Sequence, residues 1–268
     1  MNTKFRFALA QITGGRENQE DACVIRPGLS PALQASEEDV QSGETKGTLT
    51  GVLCDGMGGH AGGEVASGIA AKLFIASVTS RSTNDRPVGN ALHQACEEVN
   101  QAIHRKMIED SSIRGMGTTL VGIHCANDQM NWISIGDSHL LLLRNNTLTK
   151  LNHDHSMKPV IERMVEQGII SPEEALQHPR RNALRSVLAG EEVELVDEGI
   201  PGFGLQRGDV VLLASDGIDV IPRRILADNL KQGLFSSPAS SVVQLLKSAR
   251  QFGGSSLDNT TVAVISVR

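Results

Sequence analysis

The chain has 268 residues, 31 acidic against 25 basic, for a formal net charge of -6. That balance argues against nucleic acid as a partner, because binding a polyphosphate leans on clustered Lys and Arg. No run of about 18 apolar residues could cross a bilayer and Met1 to Ala10 carries no secretory signal pattern, so a cytoplasmic protein with no membrane partner is expected.

Strand-like and helix-like runs alternate to the last residues without a low-complexity linker or repeat, which predicts a single domain over 1–268. Phe5, Phe7 and Leu9 alternate with smaller or polar residues and predict a first strand ending near Thr13. Residues 26–48, rich in Gly, Ser, Pro and acid, read as a surface loop. Thr50 to Cys54 is a second strand. Val65, Ile69, Leu73 and Ala76 then recur at helical spacing, as do Leu92, Cys96, Val99, Ile103 and Met107. Strands follow at 118–125, 131–135, 140–144 and 148–151, the last two joined by a turn at Asn145-Asn146.

From 155 to about 192 the chain turns polar and carries Pro159, Pro172 and Pro179, with a capping box at Ser171-Pro172-Glu173-Glu174. Strands are predicted again at 193–196 and 210–214. Ser237-Pro238 opens a helix with Val242, Val243, Leu246 and Ala249 on one face, and 261–267 closes as a strand. Cys23, Cys54, Cys96 and Cys125 are scattered in apolar runs and read as small buried hydrophobes. His153 and His155 read as solvated loop residues, and Gly117-Thr118-Thr119 as packing and hydrogen bonding within the sheet.

Asp55, Asp137, Asp216 and Asp258 each stand where an apolar strand stops. One such Asp is ordinarily a turn residue bonded to its own backbone. Four of them, three beside Gly, point to a shared metal site, since gathered carboxylates repel and need cations to hold them together.

The segments Arg16-Glu17-Asn18-Gln19-Glu20-Asp21, Asp55-Gly56-Met57-Gly58-Gly59-His60, Gly117-Thr118-Thr119, Gly136-Asp137-Ser138, Ser215-Asp216-Gly217 and Asp258-Asn259 together resemble, in order, the metal-dependent protein phosphatases, the type 2C serine/threonine family. The segment from His178-Pro179-Arg180-Arg181-Asn182 to Leu188-Ala189-Gly190 resembles the flap of its bacterial branch. The resemblance implies an α+β fold, a four-layer α-β-β-α sandwich with two central antiparallel sheets, outer helices and a flap subdomain at about 155–192. It implies a phosphoric monoester hydrolase that removes phosphate from Ser or Thr of proteins phosphorylated by a cognate kinase, with no phosphoenzyme.

The cofactors implied are two Mn2+ or Mg2+ ions, with a third in some bacterial members. Asp55 would bridge the core pair and the Gly56 carbonyl would add an oxygen. Asp216 and Asp258 would complete one ion, Glu20 would serve the other, and Asp21 would orient water behind them. Oxygen ligands suit such hard ions, which can lower the pKa of bound water from 15.7 to about 7.

Arg16 would grip the substrate phosphate, its alternative being a solvated loop cation. Asp137 would contribute to a third ion or merely cap a turn. Met57 stands where animal members carry a His proposed as general acid, and a thioether cannot donate that proton. His60 could serve or could sit in a turn. His139 replaces the Arg of the usual Gly-Asp-Ser-Arg, which puts that residue's salt bridge in doubt, and Val220 stands where the family often has a further Asp. The other readings are a pseudophosphatase acting as a binding module, which would have lost ligands that are all present here, and a partner-switching phosphatase acting on an anti-sigma antagonist.

Overall fold

The computed structural model describes residues 3–37, 39–58, 62–81 and 88–268. Among them, two antiparallel sheets lie face to face with helices on both outer surfaces. The first sheet runs β10 (Thr147–Lys150), β9 (His139–Arg144), β13 (Val210–Ala214), β14 (Thr260–Val267), β1 (Lys4–Ile12) and β4 (Gln41–Lys46). The second runs β11 (Asp197–Glu198), β8 (Gln129–Ile135), β7 (Leu120–Ala126), β5 (Thr48–Met57), β2 (Asp21–Pro27) and β3 (Leu33–Gln34), with β6 (Gly117–Thr118) on β5 and β12 (Phe203–Gly204) on β8. Helices α1 (Gly62–Arg81) and α2 (Val88–Glu109) cover the second sheet, and α5 (Arg223–Phe235) and α6 (Pro238–Gly253) cover the first. Two shorter helices, α3 (Lys158–Glu166) and α4 (Pro172–Leu176), belong to the segment that leaves the sheets after β10.

The period of two along each strand builds three apolar layers. Phe5, Phe7 and Leu9 of β1 point between the sheets with Cys23, Ile25, Leu53, Leu213 and Ile265. Their strand neighbours Ala8, Ala10 and Ile12 face Val242, Leu245 and Ala249 of α6. Ala22, Val24, Val52 and Cys54 face α1. All four cysteines are buried and free. Phe74 of α1 sits directly over Gly122 of β7, where an added Cβ would stand 2.2 Å from the ring's Cζ. A side chain at 122 would therefore push α1 off the sheet.

Several expectations are corrected. The polar stretch 26–48 contains β3 and β4. β4 pairs with β1 from Leu9↔Gln41 to Lys4↔Lys46, an edge strand held by backbone bonds and needing no apolar face. No strand forms at 193–196; β11 lies just beyond, pairing Asp197 with Ser134. The α1 helix is present, but its most deeply buried residues are Ala66, Ala70, Phe74 and Val78, while Val65, Ile69 and Leu73 are half-buried and Ala76 is exposed. A helix packed against both a sheet and another helix is apolar around most of its circumference, so spacing alone does not fix its face. On α6 Val243 is exposed and Leu245 takes the buried place. The Asn145-Asn146 turn, both residues at positive φ, and the Ser171 capping box form as read.

Candidate metal centre

Both sheets end in acids at the same edge of the sandwich. Asp21, the first residue of β2, is in direct register with Asp55 near the end of β5. Asp137 follows β8, and Asp216 and Asp258 flank the adjacent ends of β13 and β14. Arg16, Glu20, Asp55, Gly56, Asp137, Asp216 and Asp258 line one cleft of about 540 Å3, with Met57, Thr119 and Asn182–Leu184 completing its wall. Asp21 is buried behind it. His60 lies outside the described residues. A larger hollow, about 790 Å3, opens between α2 and β8 and is lined by no motif residue.

The backbone is held where the acids need it. Asp55 N–H donates to Thr119 Oγ1 at 3.0 Å, and Thr119 N–H and Thr118 Oγ1 both donate to the Asp55 carbonyl. Gly56 permits the close approach of three segments: a Cβ there would stand 2.1 Å from the Gly63 carbonyl oxygen and 2.5 Å from that of Glu20. Asn259 ties the Arg16 loop down, accepting from Glu20 N–H at 2.8 Å and donating to the carbonyls of Thr13 and Asn18. Ser215 Oγ donates to Asp21 Oδ2 at 2.8 Å and the Thr261 hydroxyl also favours the Asp21 charge, whereas the buried Oδ1 makes no hydrogen bond of ordinary geometry.

The acids repel one another and are raised by burial. Burial, then the repulsion of Asp21, Asp216 and Asp137, drives Asp55 well above the usual carboxylate range. Burial pushes Asp21 up to about 7 against the bonds that favour its charge. Asp137 rises to about 7, through burial and then Asp216. Glu20 and Asp216 are also raised, in each case by burial first.

Arg16 is the cation among the cleft's lining residues, its Nη2 bonded to Asp258 Oδ2 at 2.5 Å. Both side chains are substantially exposed, 58% and 40%, so this ion pair is worth about 0–1 kcal/mol and is easily exchanged. It also turns Asp258 toward the loop. Among the described residues no three acids, histidines or cysteines already stand as a closed coordination shell. The donor set nonetheless fits hard divalent cations: buried oxygens pushed toward protonation, one of them without a hydrogen bond of ordinary geometry, are relieved by positive charge.

The sequence resemblance assigned Asn259, Ser215 and Thr119 no function beyond motif membership or packing, and their hydrogen bonds supply one. Two histidine readings are corrected. His155 is buried, its Nδ1 accepting from Gly136 N–H at 3.2 Å, which steadies the turn before Asp137. Burial lowers its pKa, in keeping with an accepting neutral ring. His139 is buried too, and its Nε2 lies 2.9 Å from Asp219 Oδ1, so this position is not without an acidic neighbour.

A two-sheet sandwich with this oxygen-lined acidic cleft and an exposed arginine at it suits a site for divalent metal and a phosphate group. Comparison with known proteins agrees. The family model described as Protein phosphatase 2C matches residues 38–250. Serine/threonine phosphatase stp of Listeria welshimeri is 35% identical over 217 residues, covering 80% of this chain and 82% of that protein. Serine/threonine protein phosphatase PstP of Mycobacterium tuberculosis is 36% identical over 222 residues, 80% of this chain and 40% of the longer relative. The crystal structure of the Mycobacterium tuberculosis phosphatase PstP/Ppp superposes with a TM-score of 0.76 at 30% identity, covering 98% of both chains. The PstP catalytic domain in complex with two manganese ions gives 0.75 at 29% identity, covering 99% of each. The chain belongs to the protein phosphatase 2C family, the metal-dependent protein serine/threonine phosphatases.

Proposed function

We propose that the cleft at the sheet edge removes phosphate from phosphoserine and phosphothreonine of proteins, with the chain's own residues in the following parts. Asp55 and the Gly56 carbonyl, with Glu20 on one side and Asp216 and Asp258 on the other, would hold two Mn2+ or Mg2+ ions. When bound, these ions supply Lewis acidity, lowering the pKa of water and shielding the charge of the phosphate.

Arg16 leaves its weak pairing with Asp258 to grip two phosphate oxygens, which frees Asp258 as a ligand in the same movement. Asp21, fixed through Oδ2 by Ser215 and buried behind the cleft, would orient water of the ions from that side. Thr118 and Thr119 position Asp55 and do not touch substrate chemistry. The four cysteines are buried, and burial pushes the Cys23, Cys54, Cys96 and Cys125 thiols up, so none offers a thiolate for a phosphoenzyme.

Residues 155–192 act as a flap. Its Asn182–Leu184 stretch forms one wall of the cleft, so side chains there meet the residues flanking the phosphorylated Ser or Thr. The substrates are proteins phosphorylated by a cognate serine/threonine kinase. Among the described residues no helix is long and apolar enough to cross a membrane, and we place the enzyme in the cytoplasm.

The observation that carries this reading is the convergence of five acids and one arginine from both sheets on a single cleft. Hydrolysis of p-nitrophenyl phosphate and of a phosphothreonine peptide should appear with Mn2+ and vanish with EDTA. Turnover that persists in EDTA would refute it.

A further inference from the structure

The acids that flank Asp216 are met by a cation belonging to the chain itself. Lys158, the first residue of α3, is largely buried, 13% exposed, and its Nζ lies 2.9 Å from Asp219 Oδ2 and 3.9 Å from Asp137 Oδ2. Asp219 is three residues past Asp216, in the short 3-10 turn Asp216–Val220, and its other oxygen contacts His139. Lys150 of β10 adds a second ammonium in electrostatic range of the same two acids. Asp137 therefore has one side toward the cleft acids and the other toward an internal positive charge.

We infer that the Lys158 ammonium is a built-in counter-cation of Asp137, occupying the place a third divalent ion would need and leaving the enzyme with two. This rests on the proposed role of the cleft as a two-ion centre. A cation that binds Asp137 beside Asp216 would have to approach an ammonium already within 4 Å of the Asp137 carboxylate, and like charges so close, in a site shielded from water, repel strongly. The same contact makes Lys158 a positioning residue for the flap. The preceding residue Met157 donates its N–H to the Ala183 carbonyl at 2.9 Å, and Ser156 bridges to Leu184. Ala183 and Leu184 line the cleft. Pinning Lys158 to Asp219, in the turn that follows β13, thus fixes the flap wall that substrate meets.

Mn2+ counting on the full chain tests this without reference to turnover: equilibrium dialysis with electron paramagnetic resonance of free Mn2+, on wild type, Lys158→Gln and Lys158→Arg, each checked for a cooperative melt. The wild type and Lys158→Arg should saturate at two ions. Lys158→Gln should take up a third, at least about tenfold tighter than any third ion on the wild type. Lys158→Met serves in its place if Lys158→Gln does not fold. Hydrogen exchange of amides 156–184 should quicken in the neutral variant and remain slow in Lys158→Arg.

A third ion bound equally by wild type and Lys158→Gln overturns the inference, as does saturation of both at two. A wild type that binds no Mn2+ overturns the two-ion reading beneath it and the inference with it.

Discussion

Asp137→Asn should stabilise the ion-free protein while weakening its response to metal. Asp137 is 4% exposed and its pKa is pushed from 3.8 to about 7 by burial and Asp216, in spite of Lys158. A carboxylate raised in the folded state keeps its proton there after the unfolded chain has lost it. Its contribution is therefore complete below the unfolded pKa and is lost as pH rises through the folded one. The interval from 3.8 to about 7 is roughly 3 pK units at 1.36 kcal/mol each, or about 4 kcal/mol at most. Relaxation and water entry reduce such figures, leaving about 2–4 kcal/mol at pH 8. Asparagine, neutral throughout, escapes the loss. In EDTA at pH 8 the variant should melt roughly 5–10 °C above wild type, and well under half of that gain should remain at pH 5. Millimolar Mn2+ should raise the wild type more than the variant, because core ions held by Asp55 and Asp216 would offset the repulsion that the neighbouring Asp137 carboxylate feels without binding it. Differential scanning fluorimetry or urea unfolding at the two pH values measures all of this. A variant less stable than wild type at both pH values in EDTA would refute the account of Asp137 as a repelled acid.

Arg16→Ala removes an exposed ion pair worth about 0–1 kcal/mol, so its melting temperature should stay within about 3 °C of wild type. Its kcat/KM on p-nitrophenyl phosphate should fall about 10²-fold, with Mn2+ affinity unchanged or slightly tighter because Asp258 is released; loss of Mn2+ binding would instead make Arg16 a scaffold for Asp258. Asn259→Ala takes away three hydrogen bonds to the Arg16 loop, and should lower stability by about 1–3 kcal/mol and raise KM, both read from unfolding curves and steady-state kinetics. Gly122→Ala should cost about 1–3 kcal/mol because its Cβ would collide with Phe74; Phe74→Leu in the same chain should recover part of that loss, and strict additivity of the two would count against the clash.

What could be read from the residues divides along physical lines. Strands buried between the layers announce themselves as short apolar runs bounded by turn residues, with alternation clearest in β1, so β1, β5, β7, β8, β9, β13 and β14 were legible, as were the capped starts of α4 and α6. β4 was not, because an edge strand is held by backbone bonds to β1 and its Gln-Ser-Gly-Glu-Thr-Lys sequence advertises nothing. The helix α5 also went unread: its apolar residues alternate with Arg, Asp and Lys and earn their burial from α6, an element distant from them only in space. At the site, the aspartates and Arg16 stood out through neighbouring glycines and spacing. Asn259, Ser215, His155 and Lys158 act through partners up to about 240 residues away in sequence, and no local pattern encodes such a pairing.

The division of the acids between two sheets explains why their mutual repulsion does not open the cleft. Asp55 and Asp137 hang from the second sheet, Asp216 and Asp258 from the first. The distance between those sets is governed by the side chains of the layer between the sheets, among them Phe5, Phe7, Leu53, Leu213 and Ile265, each at most 1% exposed. Each such residue contributes about 1.5–3 kcal/mol of burial, so the layer as a whole outweighs the several kcal/mol of carboxylate repulsion at its edge. Repulsion cannot part the sheets; it can only raise pKa values and turn one acid, Asp258, toward Arg16. A divalent cation would then find its ligands in one cleft though not yet in a closed shell, and its binding energy would go into discharging protons and drawing side chains such as Asp258 inward instead of into bringing two halves of the molecule together. The apolar layer is in this sense part of the metal centre, and its packing decides how far apart the acids from the two sheets can stand.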